Sequence, residues 1–190
     1  QYLLARQSER RALGKLYGIG YASIVEPSVS NMGYITAVLT PEQRAKAGPK
    51  SGAIATATVS VDASGSINVV VASTPAGQGH QTVIANIVGK IFGLPPSHIV
   101  VNTEFDTSKD AWSAGSGNYS SRFAGAVAGA VFIAAEKIKN KIAAYAAKVY
   151  RCSPKEIIFQ SGKVINTLNP DQATGFSRLA GTFHWSPDLV

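Results

Sequence analysis

A strand, a glycine-rich loop and an amphipathic helix follow one another between residues 66 and 92, and this succession most constrains the fold. Residues 66–73 (SINVVVAS) are rich in β-branched side chains, and residues 74–80 (TPAGQGH) form a loop with two glycines. A helix is predicted from about His80 to Phe92, because apolar side chains recur at intervals of three and four, as one buried helix face requires, at Val83, Ile84, Ile87, Val88 and Ile91. Gly93 is placed to end this helix, and Pro95-Pro96 prevents its continuation.

The flanking sequence predicts an α+β fold, with β-hairpins packed against one medium and one long helix. Alternation over residues 53–61 and a turn at 62–65 make a hairpin with the strand at 66–73, and residues 99–103 form a third strand. A last hairpin joins residues 157–160 to 164–166. We interpret these hairpins, in place of regular βαβ units, as α+β.

A long helix is predicted from about Ser121 to Val149. Its apolar line steps by three and four through Val127, Val131, Ala134, Ile138, Ile142, Tyr145 and Val149. Its first turns carry Gly125-Ala-Val-Ala-Gly129, a small-residue pattern that predicts close packing against another helix.

The chain's 190 residues suit one domain with a small appendage, at about 150 residues per domain. We predict a polar, basic arm at residues 1–16, an α+β domain at 17–166 and a partly helical tail at 167–190. Charged residues make up 15%, against about 25% in average domains, as expected where neighbouring polypeptide covers part of the surface. With a start at Gln1 and no Met there, this predicts a fragment of a longer protein.

The composition excludes several kinds of site. One cysteine rules out an internal disulfide framework, and three isolated histidines offer no zinc-ligand spacing. The apolar run at 124–135 is far shorter than the roughly 20 residues that span a membrane, and no secretion signal is readable. We therefore expect a cytoplasmic location, no metal ligands and no membrane span. No P-loop or dinucleotide-binding fingerprint occurs.

Two glycine-rich loops, at residues 75–80 and 115–122, each lead directly into a predicted helix. Free N–H groups and the positive end of the helix dipole favour an anion there, and glycine lets a ligand approach the backbone. The alternative is a tight turn whose glycines only supply positive φ, and the local sequence does not decide between the two. Together, the loops could hold an extended phosphorylated ligand.

Three motifs then carry a family resemblance: Pro75-Ala76-Gly77-Gln78-Gly79-His80-Gln81-Thr82, Gly93-Leu94-Pro95-Pro96 and Gly117-Asn118-Tyr119-Ser120-Ser121-Arg122. In order and spacing they resemble the large, molybdenum-binding subunit of the xanthine dehydrogenase and aldehyde oxidase family, especially the carbon monoxide dehydrogenase-like large chains. The resemblance covers roughly residues 10–185 and only a minor part of the family's large subunit.

The resemblance implies which residues hold a cofactor. The pterin of the molybdenum cofactor would contact the first loop and its dinucleotide part would lie against the second. The implied cofactor-binding residues are Gly77, Gln78, Gly79, His80, Asn118, Tyr119, Ser120 and Ser121. Asn118 stands where threonine is usual and Ser120 where glycine is usual, so backbone approach at the second loop differs from the family pattern.

The resemblance also implies the parent protein: a molybdenum hydroxylase that acts on carbon monoxide, an aldehyde or a heterocycle. Its cofactor would be molybdopterin cytosine dinucleotide with molybdenum. FAD would bind to a medium subunit and [2Fe-2S] clusters to a small subunit, both partners of the large subunit. The family's catalytic glutamate, in a Gly-x-Gly-Glu context, has no match here. We therefore expect no catalytic residue, no turnover by this chain alone and no cofactor bound to the isolated fragment.

Two alternatives come from other functional classes. A net charge of +7 and a pI near 9.6 suit a basic nucleic-acid-binding module, but no aromatic residues interleave with the basic clusters as a stacking surface needs. The other alternative is a free-standing, non-catalytic pterin-binding scaffold. It predicts that this chain alone retains the cofactor.

Overall fold

The computed structural model describes residues 1–25, 39–47, 55–104, 106–108, 110, 118 and 121–185. Its α-helices are α1 Tyr2–Ala12, α2 Pro41–Ala47, α3 His80–Phe92, α4 Ala128–Tyr150, α5 Phe176–Ala180 and α6 Thr182–Trp185. Its strands are β1 Ala57–Val61, β2 Ile67–Val71, β3 Ile99–Asn102, β4 Ile157–Gln160, β5 Lys163–Asn166 and β6 Asn169–Gly175. Short 3-10 turns at Pro96–His98 and Pro154–Glu156 precede β3 and β4.

The first sheet combines a hairpin with a parallel crossover. Its strand order is β1-β2-β3; β1 pairs antiparallel with β2, and β2 pairs parallel with β3. Helix α3 connects the two parallel strands, so β2, α3 and β3 form one βαβ unit. The α+β assignment is confirmed. The βαβ unit was not predicted, because the local sequence pattern of a strand does not show which other strand pairs with it.

One face of the first sheet and the inner face of α3 form the core. Alternate residues of the hairpin are buried (Val59, Ile67, Val69 and Val71), as the two-residue period of a strand requires. The predicted bounds of α3 are those of the structure, and Ile84, Val88 and Ile91 are buried. Val83, predicted to be on the same face, is 40% exposed.

The long helix buries a face that coincides only in part with the predicted one: Val127 and Val131 of the predicted line are buried, and Ala134 and Tyr145 are partly buried against the core. A π-helical turn, Phe123–Val127, precedes α4, and the buried residues of α4 are mainly alanines: Val131, Ala135, Ala143, Ala146, Ala147 and Tyr150. Of the predicted apolar line, Ile138 and Ile142 are half-buried and Val149 is 37% exposed. The helix packs against α3 and β1 through its smaller side chains. The size of the side chains in the sequence does not by itself reveal which face of the helix is packed.

The glycine pattern at the start of the long helix does not mark helix packing within the described part of the chain. Gly125 and Gly129 line a groove of about 1030 Å³ whose other wall is strand β1 and the two residues before it. An added Cβ at Gly129 would meet nothing within 4 Å. The prediction of close helix packing at this pattern was therefore wrong for the described residues.

A second sheet, of order β4-β5-β6, includes a strand that the sequence reading missed. Residues 169–175, placed in the predicted helical tail, pair antiparallel with β5. Their sequence, NPDQATG, has no alternation and contains proline, which an edge strand tolerates. Phe176 of α5 then joins Phe92 and Phe159, with ring centroids 5.5–6.4 Å apart. The predicted tail therefore contributes Phe176 to the core. The proposed domain boundaries stay a prediction.

Two helices, α1 and α2, precede the first sheet in the chain. Helix α1, the predicted arm, has no buried residues. Helix α2 begins after Thr40, whose Oγ1 accepts from the Gln43 N–H while Gln43 Oε1 accepts from the Thr40 N–H, a reciprocal cap. Among the described residues, none of the helices has the length and apolar character needed to cross a bilayer.

The β1–β2 turn predicts an acid-sensitive contribution to stability. The Asp62 carboxylate accepts hydrogen bonds from the side chain and backbone of Ser64 and from the Ser66 N–H. These bonds, that of the Ser64 side chain first, hold the pKa of Asp62 below its usual 3.8. A depressed folded-state pKa adds stability above the unfolded-state pKa, and this is lost as pH falls through the folded-state value.

We therefore expect the difference in melting temperature between the wild type and Asp62→Asn to narrow as pH falls from 6 to 2. Asparagine keeps an acceptor but has no charge to titrate in this range. The check is thermal unfolding across that series, with a side-chain NMR titration of Asp62. A difference that stays constant with pH would contradict the role of the charged form.

Candidate functional site

The first glycine-rich loop begins at the edge of the first sheet where β3 also ends. The first loop follows β2 and the second follows β3, and these strands are parallel. Their carboxyl ends therefore lie together, which is where open α/β sheets bind ligands. Thr74 Oγ1 donates to the Thr103 backbone oxygen over 3.5 Å, and Gln81 Nε2 donates to Thr103 Oγ1 over 3.1 Å. These bonds tie the start of α3 to the end of β3.

The first loop keeps its backbone open. Gly77 has φ 103° and Gly79 has φ 76°, both in the region that favours glycine. Gly79 is the N-cap of α3 and has no side chain to accept from the first-turn N–H groups, which remain for another acceptor. An added Cβ at either glycine would meet nothing within 4 Å. Gln78 Oε1 accepts from the Ala76 N–H over 2.6 Å and so braces the loop itself.

His80 lies beneath the loop instead of on its surface. Its side chain is fully buried, and its ring stacks on Phe123 at a centroid distance of 3.7 Å and an interplanar angle of 7°. Nδ1 lies 3.3 Å from the Ser73 backbone oxygen and 3.5 Å from Ser73 Oγ. Nε2 has no hydrogen-bond partner among the described residues. In this arrangement the ring is a support for both loops.

The second loop is described at Asn118 and again from Ser121. Asn118 Oδ1 accepts from Ser73 Oγ over 2.9 Å, and Asn118 Nδ2 donates to the Thr74 backbone oxygen. Ser121 is exposed and has φ 52°. Tyr119 and Ser120, two of the predicted cofactor-binding residues, lie outside the described residues. The structure thus brings Asn118 against the first loop.

Several contributors to this edge were missed from sequence. Ser73 and Thr74 contact Asn118 of the second loop, Thr103 ties the end of β3 to Thr74, and Arg122, only 1% exposed, directly precedes the π-helical turn. A π-helical turn inside a helix often marks a functional site. The one available signal was position, because all three hydroxyl residues follow the carboxyl end of a β-strand.

No catalytic cluster accompanies the loops in the part of the chain that the structure describes. Groups of three or more His, Cys, Asp or Glu side chains able to hold a metal ion are absent from it. Desolvation and the carboxylate of Glu156 raise the pKa of Cys152, which disfavours a reactive thiolate. The arrangement can bind and orient a ligand through backbone N–H groups and hydroxyls.

The sequence matches a known family over nearly the whole chain. The family of molybdopterin cofactor-binding domains matches residues 2–189. The chain belongs to this family. The resemblance drawn from the three motifs is thereby confirmed. Open space over two positive-φ glycines beside an uncapped helix N-terminus also fits an anionic, phosphate-bearing cofactor.

Relatives and solved structures agree with this membership. The nicotine 6-hydroxylase large subunit of Paenarthrobacter nicotinovorans is 34% identical over 159 residues, which are 84% of this chain and 18% of that protein. The CO dehydrogenase of Oligotropha carboxidovorans matches with TM-score 0.63 and 25% identity, over 72% of this chain and 17% of its own.

The fold also matches quinoline 2-oxidoreductase of Pseudomonas putida 86, with TM-score 0.69 and 23% identity over 100% of this chain and 22% of that one. The chain therefore spans about a fifth of the length of the proteins it matches.

Proposed function

We propose that this chain holds the molybdenum cofactor within the large subunit of a molybdenum hydroxylase, through the two loops at the carboxyl edge of β2 and β3. The observation that carries the proposal is the first loop, where two positive-φ glycines have no described atom within 4 Å of an added Cβ and the N-terminus of α3 has no side-chain cap. A helix N-terminus and glycine backbone suit the polar edge and phosphates of such a ligand.

The residues have different roles in this proposal. Gly77 and Gly79 present backbone, Gln78 braces the loop, and His80 contributes its backbone N–H while its buried ring supports the site. On the second loop, the exposed residue Ser121 is proposed to contact the dinucleotide part. Tyr119 and Ser120 are proposed to act there from the sequence motif alone.

The proposal extends to the form of the cofactor and to the complete enzyme. The cofactor is molybdopterin cytosine dinucleotide, and when bound it supplies redox chemistry with water as the source of oxygen. FAD on a medium subunit and [2Fe-2S] clusters on a small subunit pass electrons onward. The enzyme is cytoplasmic and acts on carbon monoxide, an aldehyde or a heterocycle. The catalytic base lies in the remainder of the large subunit, because this sequence has no Gly-x-Gly-Glu glutamate.

Cofactor analysis of two proteins tests the proposal. We expect the enzyme containing the complete large subunit to carry molybdenum and to release CMP on acid hydrolysis, and the 190-residue chain alone to retain neither. Retention by the isolated chain would favour the free-standing scaffold, and absence of molybdenum from the complete enzyme would contradict the proposal. A reading frame that begins near Gln1 and ends near Val190 would contradict the fragment.

A substitution at Ser121 tests the second loop and is expected to have a moderate effect on cofactor retention. A hydroxyl bonded to a phosphate contributes about 1.5–3 kcal/mol, so we expect Ser121→Ala to weaken cofactor retention by roughly tenfold or more. Ser121→Ala keeps the Cβ, and with it the strain at φ 52°, so it removes only the hydroxyl, whereas the second variant, Ser121→Gly, removes the hydroxyl and also relieves that strain. Equal losses in both variants, measured as molybdenum and CMP per protein, indicate the hydroxyl. A loss in alanine alone would mean that the hydroxyl stabilises the conformation of the loop, which glycine adopts without it, and does not bind the phosphate.

A further inference from the structure

Asn118 is the described residue at which the second loop touches the first. Its side-chain oxygen accepts from Ser73 Oγ over 2.9 Å, and its side-chain nitrogen donates to the Thr74 backbone oxygen. These contacts join residues 45 and 44 positions apart in sequence. A donor atom and an acceptor atom of one amide thus fix the spacing of the loops.

The partners of Asn118 are themselves held in place. Ser73 is fully buried, and its backbone oxygen and hydroxyl both lie within 3.5 Å of His80 Nδ1. The His80 ring in turn stacks on Phe123, at the start of the long helix. The Ser73–Asn118 bond is partly buried and the Asn118–Thr74 bond is exposed, so loss of Asn118 frees the loops from each other while Ser73 keeps its contact with His80.

We infer that Asn118 is a positioning residue, acting through Ser73 and Thr74 to keep the two loops at the separation that one extended phosphorylated ligand requires. This inference rests on the proposed function and replaces direct contact with the cofactor as the role of Asn118. A preordered pair of loops binds with a smaller entropic cost than two independent ones. Threonine, usual at this position in the resembling family, has one hydroxyl oxygen in place of separate donor and acceptor atoms.

A double-mutant cycle in the complete enzyme tests this role. The variants are Ser73→Ala, Asn118→Ala and the pair, and the measurement is the rate at which molybdenum leaves the protein after dilution and gel filtration. We expect each single change to speed release about threefold to tenfold. The double variant should be no faster than the faster single variant, because both remove one shared interaction.

A control and a stability measurement separate positioning from other roles. Asn86→Ala removes an exposed asparagine whose Nδ2 bonds only to the Thr82 backbone oxygen within α3, and it should leave release unchanged. The melting temperature of the cofactor-free enzyme should change little in Asn118→Ala. A lowered melting temperature with unchanged release would overturn the inference in favour of a purely structural role.

Three other outcomes would each overturn the inference. Multiplicative effects in the double variant would mean that Asn118 contacts the cofactor independently of Ser73, and would overturn the positioning role alone. Variants that release molybdenum at the wild-type rate would do the same. A wild-type enzyme without molybdenum would overturn both this inference and the proposed function.

Discussion

Gly79→Val is expected to abolish molybdenum incorporation into the complete enzyme. At φ 76° a β-branched residue is strained, by about 1–2 kcal/mol or more, and the first turn of α3 would shift to relieve it. The new side chain would also enter the space above the loop, where an added Cβ meets no atom of the described residues within 4 Å. Molybdenum and CMP per protein, measured by elemental analysis and after acid hydrolysis, give the result.

Two further variants separate backbone conformation from ligand access. Gly79→Asn occupies the same space, but asparagine tolerates the left-handed region better than valine, so incorporation should still fall sharply. Gly14→Val imposes a similar strain at φ 68° in the exposed arm and should leave incorporation intact. Full molybdenum occupancy in Gly79→Val would mean that the first loop is only a turn, and the assignment at residues 77–80 would be withdrawn.

Gly93→Ala is expected to cause a large loss of stability for a single added methyl group. Gly93 ends α3 at φ 61°, and an added Cβ would lie 2.6 Å from the Phe159 backbone oxygen and 2.8 Å from backbone atoms of Gln160. Backbone strain and overpacking together cost about 2–4 kcal/mol. For a chain of this size we expect the melting temperature to fall by about 4–16 °C in thermal unfolding followed by circular dichroism.

Gly162→Ala is the matched control for that result. Its φ of 74° imposes a similar strain, but the nearest atom to its added Cβ is Leu94 Cδ2 at 3.8 Å, an ordinary contact. It should therefore lose only the conformational part, about 1–2 kcal/mol. Equal melting temperatures for the two variants would show that β4 moves away from Gly93 at no cost.

The local elements of this protein could be predicted because their causes are local. Helix α3 has the predicted bounds, since its apolar spacing, the glycine after it and the two prolines all act within a few residues. The turn at residues 62–65 likewise follows from Asp62 and Gly65, which satisfy and shape the backbone of that turn. The motif order was specific enough to indicate the family.

The candidate site could be predicted only in part. The glycines at 77 and 79 have the positive φ that the sequence suggested, because few other residues adopt it easily. The hydrogen bonds of Ser73 and Thr74 with Asn118 could not be foreseen, since they join segments more than 40 residues apart. The burial of His80 under its own loop depends on Phe123, which is equally distant in sequence.

Periodicity, capping and turn chemistry in the sequence were enough to define the first hairpin, α3 and the loop that begins it, because each depends on neighbours within about four residues. Three features depended on packing between distant segments. These are the alanine face that α4 buries, the polar strand β6, and the junction of the two loops at Asn118. In each, a partner element supplies the complementary surface or the hydrogen bonds. Such a partner leaves no periodic signal in the segment that it stabilises.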